Sequence, residues 1–375
     1  MAEKNNNQSS ALYDYLNWRG DIGFDVLPLG EVDNLIFSII SYINFDGIIE
    51  GELSAKRPLV LLSATKSFLR SQEGTVKSLG LIIPKETVTL LVRAAKTPRF
   101  GLSRPICYVN KICDEEQKQF CALSFLLPGG GTFVSYRGTD DTLVGWKENF
   151  NMSFMHPVPA QTEALEYLEY IASKTSGKLY VGGHSKGGNL AVFASVKASA
   201  ATKERIVAVY NNDGPGFDEG FIATDEYKEI QERIHTLVPQ SSVVGMLLEH
   251  EERYKVVKSN TTGLWQHNGF SWEVMGGSFI KLDETDMESK TIDRALKAWV
   301  ASLSYEKREQ FVDSLYEALT STNAKTLSEL NSDKLKLIKA WNSMDSETRS
   351  NLIRCVNLIF GKKAAKQMKL TDNGE

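Results

Sequence analysis

Leu179-Tyr180-Val181-Gly182-Gly183-His184-Ser185-Lys186-Gly187-Gly188-Asn189-Leu190-Ala191 is the stretch whose reading decides the fold. It enters as an apolar, β-branched strand and leaves as an amphipathic helix. Between the two stands the pattern G-x-S-x-G, from Gly183 to Gly187. Three common residues in five positions recur by accident, so the pattern gains its weight from the strand–turn–helix around it. Gly183 and Gly187 lack side chains, which lets strand and helix approach each other across a very tight turn. Such a turn lifts the serine oxygen out of the sheet. A helix starting at the serine also aims its unpaired N–H groups and its dipole at a developing oxyanion. Ser185 is therefore the candidate nucleophile, and the backbone N–H of Lys186 the first oxyanion donor. The alternative is a glycine-rich turn that only packs or binds an anion.

Strands and helices alternate outward from this motif. Ile106 to Ile112 and Gln119 to Leu127 read as strands joined through Asp114-Glu115-Glu116, and Pro128-Gly129-Gly130-Gly131 is a turn signal. Thr132 to Tyr136 follows as a strand, then a helix with Leu165, Leu168, Ile171 and Ala172 on one face. Lys178 to Gly182, Arg205 to Tyr210, Ile234 to Val238 and finally Arg253 to Lys258 read as strands, with helices at Asn189 to Ala200 and Tyr227 to Arg233. Alternation of this kind predicts a mainly parallel sheet with helices on both faces. Residues 1–98 read as mostly helical and as a candidate cap, 99–280 as the α/β core, and 281–375 as a helical addition.

Gly183 to Ala191 resembles the nucleophile segment of the class 3 lipases, and Tyr136-Arg137-Gly138-Thr139 is similar to their F-R-G-S/T segment, with Trp146 also fitting the pattern. More closely, the chain resembles a group of bacterial lipase-like α/β-hydrolases of undefined substrate. The segments that carry this likeness are Trp18-Arg19-Gly20-Asp21, Ser242-Val243-Val244-Gly245, and Gln266-His267 with Trp272. The resemblance implies an α/β-hydrolase fold and a second oxyanion donor at Thr139, through its backbone N–H and its hydroxyl. Read without it, Tyr136 to Thr139 is an ordinary strand end with Arg137 in a structural ion pair.

The triad of that fold runs Ser, acid, His along the chain. Three histidines stand far enough beyond Ser185. His235 lies inside the apolar run Ile234 to Val238 and reads as structural; His250 sits among Glu249, Glu251 and Glu252 and reads as solvent-facing. His267 follows the last strand after a short loop, where the base is required, and the resemblance selects the same residue. The acid departs from the family pattern: the class 3 lipases carry aspartate where this chain has Ser242. Asp213, in Asn211-Asn212-Asp213-Gly214-Pro215-Gly216, is the best substitute, because active-site groups in open α/β sheets collect at the carboxyl ends of strands. Its alternative role is a turn residue that satisfies its own backbone before Gly214. Asp218 and Glu249 are weaker candidates, and Asp140 and Asp141 precede the serine.

Among the 375 residues, 42% are hydrophobic and 24% charged, and the formal net charge is −4, which is ordinary globular composition without a clustered basic face for nucleic acid. The four cysteines form no C-x-x-C pair, so a zinc site is not expected. No metal and no cofactor enters the expected chemistry. No apolar stretch reaches the length of a membrane span, and the polar start from Met1 to Ser10 carries no signal-peptide core, so the expected location is cytoplasmic. The expected activity is hydrolysis of a small-molecule or lipid carboxylic ester. The rival reading, a catalytically inactive binding or regulatory protein of the same fold, draws on the serine at 242. The Lys186 side chain is left as either a local positive charge favouring anionic substrates or plain surface.

Overall fold

The computed structural model describes residues 10–54, 57–72, 79–80, 82–242, 244–245 and 254–360. Val243, Glu249, His250, Arg253 and the tail from Lys362 lie outside them.

The chain opens with helices α1 (Ala11–Arg19), α2 (Glu31–Ile40), α3 (Leu61–Ser71), α4 (Glu86–Ala95) and the short α5 (Pro98–Gly101). Strands β1 (Arg104–Cys113), β2 (Lys118–Leu126) and β3 (Thr132–Tyr136) follow, then α6 (Leu143–Asn151) and α7 (Pro159–Lys174). The central segment is β4 (Leu179–His184), α8 (Lys186–Lys197), α9 (Ala200–Arg205), β5 (Ile206–Asn212), α10 (Glu219–Ile222), α11 (Asp225–Ile230) and β6 (Ile234–Pro239). After β7 (Lys255–Val257) come the two-residue strands β8 (Val274–Met275), β9 (Ser278–Phe279) and β10 (Lys281–Leu282). Five helices close the described chain: α12 (Met287–Ala301), α13 (Tyr305–Thr320), α14 (Leu327–Ser332), α15 (Lys334–Ser343) and α16 (Ser346–Phe360).

The main sheet runs β1-β2-β3-β4-β5-β6-β7-β10, parallel from β3 to β7 and antiparallel at both ends. The sheet thus ends one strand later than the sequence reading had it, because Lys281–Leu282 pairs antiparallel with Val256–Val257. Two-residue strands leave too little period-2 pattern to read.

Each parallel crossover steps one strand in the same direction. Right-handed crossovers of that kind stack their helices on one face. There α7, α8 and α11 bury Leu168, Ile171, Leu190 and Tyr227 against Val134, Val181 and Val209. The other face is covered chiefly by α2, whose Leu35, Ile36 and Phe37 share a core with Phe125, Phe133, Tyr180 and Tyr210. Successive strand residues therefore alternate between two buried faces, which is why the strands read as continuous apolar runs. The architecture is an α/β-hydrolase fold.

Helix α2 is buried on all sides, polar residues included. Those polar groups find partners. Asp33 accepts from Arg99 Nε and Nη2 at 2.7 and 2.6 Å and from the Tyr15 hydroxyl at 2.7 Å. Arg99, fully buried, also donates to the carbonyls of Ile22, Leu27 and Pro28 and so ties the loop before α2 to α5.

The closing helices build a smaller core of Phe154, Trp299, Phe311, Leu315 and Met344, joined by Met155 and Leu264. They are anchored beside α6: Asp141 accepts Leu327 N at its carbonyl (2.9 Å) and Ser328 N at its carboxylate (3.2 Å), and Lys147 pairs with Asp313 at 2.8 Å. No helix among the described residues is long and apolar enough to cross a membrane.

Candidate active site

The elbow between β4 and α8 is strained where the sequence reading put it. Ser185 has φ 59° and ψ −134°, a left-handed conformation that a non-glycine residue holds at a cost of roughly 1–3 kcal/mol. The strand and helix on either side of it approach closely. A Cβ on Gly187 would stand 2.1 Å from the Tyr136 carbonyl oxygen, and one on Gly183 would stand 2.3 Å from Gly187 itself. Ser185 N donates to Asn212 O at 2.9 Å, and Gly188 N returns to Ser185 O at 2.8 Å, so the serine caps α8. Beneath the turn, Asn212 Nδ2 holds the Gly183 carbonyl at 2.8 Å while exchanging hydrogen bonds with Asn34 of α2 at 2.9 and 3.0 Å.

The segment after β3 rides over this elbow. A Cβ on Gly138 would come within 3.0 Å of Ser185 Cβ and 2.6 Å of His184 O, so glycine is required by close approach. Arg137 is buried and donates to Asp140 at 2.7 Å and to Asn110 at 3.1 Å, which is the structural ion pair. Asp140 also accepts from Thr142 N at 2.9 Å. Next in the chain, Thr139 is 7% exposed and its hydroxyl has no protein partner among the described residues. Buried hydroxyls are almost always paired, so this one requires an explanation.

Asp213 and His267, 54 residues apart, come together: Oδ2 stands 2.7 Å from Nδ1. A carboxylate only accepts, so Nδ1 carries a proton, and in the neutral imidazole this tautomer leaves the lone pair on Nε2. Asp213 is fully buried, in the left-handed region at φ 52° just beyond β5. Its other oxygen accepts from Ser242 Oγ and from Gly245 N, the latter at 3.2 Å. Ser242, where the acid was looked for and not found, thus hydrogen-bonds the carboxylate at 213. The turn before Gly214 is satisfied by Asn211, whose Oδ1 accepts Gly214 N at 2.9 Å.

The other carboxylates considered are engaged elsewhere. Asp218 caps α10 by accepting Phe221 N at 3.0 Å, Asp140 and Asp141 serve the contacts given above, and Glu249 lies outside the described residues. His235 is part of β6 and packs its ring 5.3 Å from that of Tyr210.

The reading of the Lys186 side chain as a surface or pocket charge is corrected. It is 1% exposed, and its ammonium donates to Glu148 Oε2 at 2.7 Å, Gln119 O at 2.6 Å and Gln119 Oε1 at 2.8 Å. Glu148 also accepts Gln119 N at 3.1 Å and Ala160 N at 2.9 Å. The pair is closed on itself beneath the start of α8 and offers no charge to a ligand. Nothing local to Lys186 signals this, because Glu148 is 38 residues away on α6.

Sequence reasoning also missed His184 and Tyr42. His184 Nε2 lies 2.7 Å from the His267 carbonyl oxygen, with ring centroids 4.7 Å apart, and Nδ1 lies 3.3 Å from the Tyr42 hydroxyl. Burial, followed by the neighbouring His267, pushes the His184 pKa down to about 3, so its ring is neutral. Burial raises the Tyr42 hydroxyl, which keeps its proton. Gln266, the residue before His267, is itself anchored: its Oε1 accepts Ser241 N at 2.8 Å and its carbonyl accepts Trp272 Nε1 at 2.9 Å. Among the described residues no group of three or more His, Cys, Asp and Glu side chains is arranged to hold a metal ion.

Among solved structures, the crystal structure of M37 lipase is similar at 15% identity and TM-score 0.35, over 56% of this chain and 68% of that one. No curated protein matches. The Mbeg1-like family model matches residues 94–317, a span that takes in the whole sheet, Thr139, Ser185, Lys186, Asp213 and His267. Since that span is more than half of the chain, this protein belongs to the Mbeg1-like family.

Proposed function

We propose that this protein is a serine hydrolase that cleaves carboxylic esters, lipase- or esterase-like, through an acyl-enzyme. The observation that carries the reading is the 2.7 Å contact of buried Asp213 with His267, on a loop held by its carbonyl to the residue before Ser185. In this reading His267 Nε2 takes the Ser185 hydroxyl proton as Oγ attacks the ester carbonyl. The oxyanion is received by the backbone N–H groups of Thr139 and Lys186, and the unpaired Thr139 hydroxyl adds a third donor. Imidazolium returns the proton to the leaving alcohol. Water, deprotonated by the same imidazole, then releases the acid. Asp213 holds the tautomer throughout.

One feature favours an uncharged acyl group: Lys186 is neutralised by Glu148 and offers no charge to select an anionic substrate. Relationship to the class 3 lipases and a cytoplasmic location belong to the same proposal. The inactive alternative drew on Ser242, and Asp213 answers that objection. Fluorophosphonate labelling tests the reading: folded wild type is labelled and Ser185→Ala is not. Absence of label on wild type, or label that persists in Ser185→Ala, overturns it.

A further inference from the structure

Resting on the hydrolase reading, we infer that Tyr42 and His184 form a positioning device that holds the general base through its own backbone. The hydrogen-bond chemistry runs one way only. The His267 carbonyl can only accept, so His184 Nε2, 2.7 Å away, carries the proton. His184 Nδ1 is then bare and accepts from the Tyr42 hydroxyl at 3.3 Å. Tyr42 thereby selects the tautomer in which His184 donates to the base loop.

The placement suits this role. Tyr42 follows α2, the helix that covers the sheet, so one end of the chain of bonds is fixed to the core. Its hydroxyl would stand 2.2 Å from a Cβ on Gly138, so the same group abuts the segment that ends in Thr139. His184 is the last residue of β4 and immediately precedes the nucleophile. Oxyanion segment, nucleophile strand and base loop therefore share one tyrosine–histidine pair. Asp213 orients the imidazole from its side chain, and His184 fixes the backbone from which that imidazole hangs. Neither Tyr42 nor His184 is assigned contact with the reacting atoms.

Side-chain amides separate the two ring nitrogens. His184→Gln keeps a donor near the Nε2 position, while His184→Asn reaches only as far as Nδ1. Asn is expected to lower kcat on a p-nitrophenyl ester by about tenfold to a hundredfold with KM little changed, as misplacement of a catalytic group does. Gln is expected to restore most of that loss. Tyr42→Phe, which frees the tautomer without removing the ring, should cost a few-fold. A second measurement is independent of turnover: the far-downfield proton resonance of His267 Nδ1–H against Asp213. It should broaden or vanish in His184→Asn and persist in His184→Gln. Equal kinetics and equal spectra for Asn, Gln and wild type overturn the inference while leaving a labelled Ser185 enzyme intact. Equal losses in Asn and Gln with the proton resonance unchanged also overturn it, as a general packing effect. An unlabelled wild type removes the hydrolase reading, and with it the general base that the pair is inferred to hold.

Discussion

Replacing Asp213 by asparagine tests the acid with little change of shape, and the surroundings dictate how the amide sits. One carboxylate oxygen receives two donors, Ser242 Oγ–H and Gly245 N–H. The other lies 2.7 Å from His267 Nδ1. In Asp213→Asn the new amide must therefore turn its oxygen toward Ser242 and Gly245 and its NH2 toward the imidazole. The reverse orientation sets an NH2 against two donors, at about 1–3 kcal/mol for each buried group left unsatisfied. With NH2 facing it, Nδ1 must accept, so the imidazole proton moves to Nε2 and the base loses the lone pair it needs. In a serine triad this wrong tautomer costs about 10⁴ in kcat, or about 5.4 kcal/mol of barrier. Folding should be nearly spared, because asparagine tolerates the φ of 52° at this position. The assay is kcat for p-nitrophenyl ester hydrolysis, with the urea midpoint as the folding control. A loss below about tenfold in a folded Asp213→Asn protein would refute the argument.

Lys186→Met strands the Glu148 carboxylate in the interior and should lower the stability measured by urea denaturation by about 3–5 kcal/mol, with Glu148→Gln on top recovering part of it. Gly138→Ala puts a methyl group 2.6 Å from His184 O and 2.2 Å from the Tyr42 hydroxyl. Fluorophosphonate labelling should then slow by about a hundredfold or more, with far-UV circular dichroism retained. His184 gives a pH dependence. Its folded pKa of about 3 lies below the ordinary 6.5, so only the unfolded chain binds its proton between those values. The stability from keeping it neutral is present above pH 6.5 and is lost as pH falls toward 3. The slope is at most about 1.4 kcal/mol per pH unit, and it should disappear from urea midpoints at pH 7 and 5 in His184→Gln.

Much of this molecule was legible because local signals and tertiary needs agree. The strand into Gly183, the glycines at 183 and 187 and the helix out of Lys186 each report a constraint that acts within ten residues. The direction of the Lys186 side chain was not legible, since its charge partner stands on α6 and its burial follows from how β2 and α6 meet. Tyr42 was invisible for the same reason: nothing in its neighbourhood marks a residue that meets its partner 142 positions later. Asp213 lay between these cases. Asp213 had a local reason to be a turn residue and a topological reason to be catalytic, and Asn211, by taking over the turn, left the aspartate to His267.

The position of Asp213 follows from the geometry of two adjacent strand ends. Residues 213 and 242 lie just beyond β5 and β6, neighbours in the sheet, and their side chains are hydrogen-bonded to each other. A carboxylate reaching the imidazole from either strand end would enter the same small volume, so it needs the other position to be a small donor rather than a second acid. Two carboxylates at that separation would repel and share a proton. An aspartate at 213 is thus matched by a hydroxyl at 242: Ser242, which stands where an acid was looked for in the sequence, donates to Asp213 and holds its carboxylate. The left-handed backbone at Asp213 has the same origin. In that conformation its N–H is bonded to the Leu237 carbonyl of β6 at 2.8 Å while its carboxylate reaches His267.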